Sequence, residues 1–355
     1  MNTREAMARA LRLAWQGWGL TGRNPMVGAV VLRDGAIVAE AHHAAFGGPH
    51  AERVALKAAG ARVRGATLVV TLEPCRHQGK TPPCVDAIRA AGIARVVYGA
   101  PDVDPAAQGG AAALRSFGIA VEGGVLEAQA RAQNAAFFHR HAHPGRPFVA
   151  LKLAMSLDGR IADRTGRSRW VTGAEARDWV HWLRAGFEAL AMGVGTVRAD
   201  DPQLTVRGSV RPPVPPLRVV FDRRGEMPLE VHLARTAATI PTLVIAESEN
   251  AGVARLREAG LDVVVADGVE GALGALAARG VTSVLVEGGG VVAGRLLAAD
   301  AVDRCYLLSA PIFLGSEGKP AFREVPDASI EAALRWRLVG RHALGDDTLL
   351  VLDRP

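Results

Sequence analysis

The chain has 355 residues, 49% hydrophobic and 22% charged, enough to bury the cores of two domains of ordinary size. No apolar run reaches the ~18 residues of a membrane span, the amphipathic start "MNTREAMARALRLAW" has no apolar block with a cleavage site, and three cysteines cannot form a disulfide framework, so a soluble cytoplasmic protein is expected. The net charge of +6 is uneven: residues 1–146 hold 17 Lys and Arg against 10 Asp and Glu, and the remainder 25 against 26, so the first half suits an anionic partner, either nucleic acid or a phosphorylated small molecule.

In chain order, "VGAVVLR" and "AIVAEA" read as a hairpin, because Asp34 and Gly35 between them supply the positive φ angles of a tight turn. A helix is expected from about His50 to Ala59, with Gly60 as its stop. A buried strand in "ATLVVTL", a short helix in "CVDAIRAAG" and a strand in "ARVVYGA" follow. An alanine-rich helix, the stretch "IAVEGG" and a helix near residues 125–140 complete this half. Pro144, Gly145 and Pro147 mark residues 139–148 as the linker. Beyond it strands restart in "FVALKLA", "ALAMGVG", "LRVVFD", "PTLVIAE", "LDVVVAD" and "VTSVLVEGGG", with helical stretches and the loop "RPPVPP" between them. Both halves read as α/β, divided into domains 1–145 and 146–355.

His50 and Glu52 stand two apart where a helix begins. That spacing does not turn them toward each other, so both are read as reaching past the helix end toward one object. The stretch "TLEPCRHQGKTPPC" supplies the rest of it: Cys75 directly after a strand, and Cys84 at the next helix start, where thiol pKa values fall. Two thiolates and one imidazole make a three-ligand zinc site with a fourth position for water. The charges then sum to zero, which leaves Glu52 as a proton carrier. The combination is the zinc-deaminase signature, in which metal lowers the pKa of bound water toward ~7 for attack on an amidine-like ring carbon. Alone, a His-x-Glu triplet is common, a helix-start Glu is a normal dipole partner, and two cysteines can be structural or simply buried. Their order on these elements favours catalytic zinc. One departure stands out: eight residues, "RHQGKTPP", separate the cysteines where the general signature has two.

With "NPMVGAVV", "HAE", "LKLAMSLDGRIA", "SRWVTG", "GVGTVRADDPQLTVR" and "VEGGG", that long insert makes the chain resemble, over essentially its whole length, the bifunctional riboflavin-biosynthesis deaminase–reductase family. The resemblance implies a cytidine-deaminase-like αβα sandwich with a mixed sheet, holding one zinc ion and acting on a diaminopyrimidinone ribosylamine 5′-phosphate. It also implies a dihydrofolate-reductase-like α/β domain that reduces the ribosyl group to ribityl with NADPH. Carried over by position, His50, Cys75 and Cys84 match the metal ligands and Glu52 the acid/base. Asn24, His43, His77 and Lys80 match substrate positions of the deaminase. In the second half Ala154, Trp170, Thr196, Asp200, Gly289, Gly290, Val291, Val292, Ala293, Gly294 and Arg295 match NADP positions. Ser168, Arg184, Leu204, Arg207 and Glu287 match reductase substrate positions. A homo-oligomer, dimer or tetramer, is expected, with no nucleic acid or membrane as partner.

Beside the resemblance, Gly288, Gly290 and Ala293 keep the G-x-G-x-x-A spacing of a phosphate-cradling turn, and Arg184 with Arg207 suits a phosphate clamp. Lys152 and Asp200 are both polar enough to assist hydride transfer, and the residues leave that choice open. Two other classes stay in view. A nucleic-acid base deaminase would need an aromatic-rich basic segment, and only 5% of residues are aromatic. A zinc-stabilised binding module would leave Glu52 and the glycine turn unused.

Overall fold

The computed structural model describes residues 1–79 and 81–355; Lys80, one of the expected substrate residues, lies outside the described residues. Two units divide the chain, Met1–Ala142 and His143–Pro355, each built on its own sheet. No helix among the described residues is long and apolar enough to cross a membrane.

In the first unit Asp34 (φ 53°) and Gly35 (φ 74°) turn the chain between β1 (Gly28–Arg33) and β2 (Ala36–His42), as their left-handed tolerance dictates. With β3 (Thr67–Leu72), β4 (Arg95–Ala100) and β5 (Ala120–Glu122) they form a sheet of order β2-β1-β3-β4-β5. The sheet is mixed: β1 runs antiparallel to β2 and β3, while β3, β4 and β5 are parallel. Ala29, Val30, Val31, Val69 and Val70 are fully buried although neighbours on a strand point to opposite faces, so helices cover both faces. Helix Thr3–Ala14 lies so close on β1 that a Cβ on Gly28 would sit 1.9 Å from Ala10 O. Helix Ala51–Ala59 packs on β1 and β2 with helix Cys84–Ala91 beside it. The result is the expected cytidine-deaminase-like sandwich.

Two expectations need correction. The single helix near residues 125–140 is two helices, Glu127–Gln133 and Ala135–Ala142, broken at Asn134 (φ −108°, ψ 32°). The break has a cause: the buried Asn134 carboxamide accepts from Met26 N at 2.8 Å and donates to Met26 O at 2.9 Å. The linker is also shorter than residues 139–148, because 139–142 finish the second of these helices and Phe148 already begins a strand.

The second unit carries β6 (Phe148–Ser156), β7 (Arg160–Ala162), β8 (Ala189–Gly193), β9 (Leu217–Phe221), β10 (Thr242–Ala246), β11 (Asp262–Val265), β12 (Ser283–Glu287), β13 (Arg304–Ala310), β14 (Lys319–Pro320), β15 (Arg337–Leu344) and β16 (Asp347–Asp353). Nine of them form a sheet of order β11-β10-β9-β8-β12-β6-β13-β16-β15, parallel through β13 and antiparallel at β16 and β15. β8 and β12 are buried at every residue, as central parallel strands are. Connections run outward from β8 toward β11, then return to β12 between β8 and β6. Such a reversal leaves a crevice at the carboxyl ends of the central strands, where open α/β sheets bind ligands.

Candidate active sites in the two units

His50 caps the N-terminus of helix Ala51–Ala59 with extended backbone, its side chain making no cap hydrogen bond. Cys75 follows β3, and Cys84 opens helix Cys84–Ala91 after the fixed turn of Pro82 and Pro83. Their donor atoms lie within 4.8 Å of one another, with His50 Nδ1 3.5 Å from Cys75 Sγ and 3.3 Å from Cys84 Sγ. Such separations suit ligands held ~2.0–2.3 Å from one tetrahedral ion, and two sulfurs with one imidazole nitrogen are a zinc donor set. The residues present therefore fit the metal.

The hydrogen bond between the two thiols, then burial, raises Cys84, while the same bond, against burial, lowers Cys75. Cys84 is the more deeply enclosed of the two, fully buried against 5% exposure for Cys75. A bound dication ionises both. Glu52 is 4% exposed, and burial pushes its carboxyl upward, so it takes a proton more readily than a surface glutamate does.

A cavity of about 230 Å³ is lined by His50, Glu52 and Cys75, and Asn24, His43 and His77 line it too. His43 Nδ1 meets Pro49 O at 3.1 Å, which fixes the proton there. Its buried Nε2, like the buried Nδ1 of His77, has no partner among the described residues. Phe46, Glu73, Asp102 and Asp104 also line the cavity and were missed in the sequence. Glu73 braces the floor by accepting from Asp102 N at 3.2 Å and Ala111 N at 2.8 Å. Burial, opposed by the hydrogen bond from Asp104 N, leaves the Asp102 carboxyl at about 6. The available signal was position: Asp102 follows β4 as Cys75 follows the parallel neighbour β3.

In the second unit Glu287 ends β12 directly beside Lys152 of β6. Arg184, last residue of helix Ala174–Arg184, holds it by two bonds, Nε to Oε1 at 2.5 Å and Nη2 to Oε2 at 3.0 Å; Lys152 Nζ stands 3.4 Å from Oε2. Burial opposes the charged carboxylate, but Arg184 and Lys152 hold it at about 2. Arg184 and Arg207, the pair suited to a phosphate clamp, have different partners in the structure. Arg184 is turned inward to Glu287 and to Thr205 O (3.0 Å), whereas Arg207 is exposed and donates to Gln203 Oε1 at 3.1 Å.

The glycine turn stands where the spacing put it. Gly288 (φ 67°) and Gly289 (φ 81°) lead into helix Gly290–Ala298, whose first N–H groups have no acceptor within the helix. Across the crevice stands Thr196, 2.9 Å from where a Gly289 Cβ would lie. Helix glycines admit a close neighbour: a Cβ on Gly290 would meet Pro320 O at 2.5 Å, and one on Gly294 would meet Arg323 O at 1.5 Å. Val291, Val292 and Ala293 fill the helix's opening turns, with Val292 over Gly193 of β8. Ser168 Oγ donates to Asp200 Oδ1 at 2.9 Å, joining an expected substrate residue to an expected cofactor residue. Ala154 lies toward the carboxyl end of β6, and Leu204 is buried at φ 50°. Trp170 is 68% exposed under the Arg177 guanidinium, and Arg295 pairs with Glu324 at 3.1 Å.

Comparison with known proteins covers both units. The cytidine and deoxycytidylate deaminase zinc-binding region matches residues 1–100, and the RibD C-terminal domain matches residues 147–350. The riboflavin biosynthesis protein RibD of Aquifex aeolicus is 40% identical, covering 98% of this chain and 97% of its own. That of Escherichia coli is 39% identical, covering 91% and 92%. Among solved structures, Acinetobacter baumannii RibD has a TM-score of 0.83 at 34% identity, covering 99% of each chain. A Thermotoga maritima diaminohydroxyphosphoribosylaminopyrimidine deaminase/5-amino-6-(5-phosphoribosylamino)uracil reductase has a TM-score of 0.84 at 38% identity, with the same coverage.

Proposed function

The chain belongs to the RibD family of bifunctional riboflavin-biosynthesis enzymes, and from that premise we propose that it performs both reactions named for the Thermotoga maritima relative. Residues 1–145 are assigned the deamination of the diaminopyrimidine ribosylamine 5′-phosphate, and residues 146–355 the reduction of the ribosyl group to ribityl.

Zinc, when bound by His50, Cys75 and Cys84, supplies Lewis-acid activation of water. The chain's own residues do the rest. Glu52, whose carboxyl readily takes a proton, carries one from water to the ring and to the departing ammonia. Asn24 can both donate to and accept from the pyrimidine edge, while His43 Nε2 and His77 Nδ1, without partners among the described residues, are assigned to the substrate. In the second unit, NADPH supplies the reducing equivalent. Opening N–H groups of helix Gly290–Ala298 bind its phosphate, and Gly288 and Gly289 let it approach the backbone. Ala154, Trp170, Thr196 and Asp200 flank the cofactor; Ser168, Arg184, Leu204, Arg207 and Glu287 flank the substrate. Lys152, 3.4 Å from Glu287, and Asp200, which accepts from Ser168 Oγ, are the two polar groups that could assist hydride transfer.

Three zinc donors within 4.8 Å of one another, two of which (His50 and Cys75) line one cavity together with the buried Glu52, carry this reading. Metal analysis of the purified protein, with both half-reactions followed by ammonia release and NADPH absorbance, tests it. Absence of zinc, or of NADPH consumption with the deaminated substrate, would reject the corresponding half. The working form is proposed to be a cytoplasmic homo-oligomer, dimer or tetramer, which light scattering and cell fractionation decide.

A further inference from the structure

Segment Leu204–Gly208 holds two expected substrate residues in a conformation that its own sequence does not favour. Leu204 is a buried non-glycine residue at φ 50°, a left-handed setting that persists only when the surroundings impose it. Three ties do so. Arg184 Nη1 donates to Thr205 O at 3.0 Å, and the fully buried Arg218 reaches Gln203 O at 3.4 Å. The third is the backbone N–H of Arg207, which donates to His181 Nδ1 at 3.3 Å. Gly208 then lies flat against the same helical turn: a Cβ there would stand 3.2 Å from His181 Cβ and 3.4 Å from Trp182 N.

We infer that His181 is a positioning residue of the reductase, its Nδ1 fixing the Arg207 backbone so that the Arg207 guanidinium is presented to the phosphorylated substrate. This rests on the proposed substrate role of Arg207. The tie requires an imidazole with its proton on Nε2 and Nδ1 free to accept. The surroundings favour that form: burial, then the charges of Arg184 and Arg207, lower the His181 pKa, against the weaker raising pull of Glu287 and Asp178. Arg184, 3.5 Å from the same nitrogen, joins the Glu287 pair to this anchor.

Three substitutions separate acceptor from bulk. An Asn amide oxygen reproduces Nδ1, a Gln oxygen falls where Nε2 was, and Leu has no acceptor. His181→Leu should raise the reductase KM for the pyrimidine phosphate about tenfold, the worth of one hydrogen bond, with kcat and NADPH Kd near wild type. His181→Asn should restore most of that loss, and His181→Gln should not. Hydrogen exchange of the Arg207 amide should quicken in the Leu and Gln variants. Equal KM in all variants, equal impairment of Asn and Leu, or a joint loss of kcat and NADPH binding would each overturn the inference. Arg207→Ala with an unchanged KM would instead reject the substrate role of Arg207, and the exchange rate of its amide would still test the tie.

Discussion

Asn134 presents Met26 with both hydrogen bonds of a neighbouring strand, one accepted from its N–H and one donated to its carbonyl. A helix break thereby fixes the segment that carries Asn24 into the deaminase cavity. Asn134→Ala leaves two buried backbone groups without their partners. It should cost about 1–3 kcal/mol for each such group, and should raise the deaminase KM while reduction of deaminated substrate continues unchanged. Thermal unfolding together with both activities checks this; wild-type KM would show that Asn24 is held otherwise.

Much of this architecture was legible because its signals are local. Asp34 and Gly35 declare their turn by conformational tolerance alone, and Gly60 and Gly92 end helices in the same way. His50, Glu52, Cys75 and Cys84 were readable because each stands at the end of a recognisable element. Asn134 was not readable, since one Asn in a helical pattern resembles a tolerated surface residue until its partner 108 positions away is known. The pairing of Arg184 with Glu287 was not readable, because nothing nearby in sequence reveals a partner 103 residues on. β15 escaped notice because an exposed edge strand has no burial alternation to detect. Glu73 acquires meaning only through its buried bonds to Asp102 N and Ala111 N.

Glu52→Gln retains shape and the metal donors but removes the proton carrier. Deamination should fall by ~10²–10⁴, the usual share of a general acid–base group. Zinc content and NADPH-dependent reduction of the deaminated substrate should be retained. Deamination at the wild-type rate would end the assignment of Glu52.

Removing zinc with a strong chelator, or changing Cys75 to Ser, should abolish deamination and lower the unfolding temperature of Met1–Ala142, because ligation energy is also folding energy. Reduction in the second unit should survive. Zinc analysis beside calorimetry provides the readout, and deamination that persists without detectable zinc would remove the metal from the mechanism.

Gly294→Ala forces a Cβ into Arg323 O, a backbone atom that cannot swing aside as a flexible side chain can. The helix must move, and its opening turn with it. NADPH Kd, measured by titration calorimetry, should rise well above wild type while deamination is unaffected. Unchanged NADPH binding would place the phosphate away from this helix.

Glu287 makes the second unit sensitive to acid. Its carboxyl sits at about 2 in the folded protein, below its usual 4.5. A depressed carboxyl contributes its full stability above the unfolded value and loses it as pH falls toward the folded one. The protection of β12 amides, taken relative to their intrinsic exchange rate at each pH, should therefore fall between about pH 4.5 and about 2. Glu287→Gln removes that component and leaves Arg184 and Lys152 buried without their counter-charge. At neutral pH the variant should be less stable by about 3–5 kcal/mol, as for other broken buried pairs. A variant as stable as wild type at pH 7, with the same acid profile, would mean that the two cations are not held by this carboxylate.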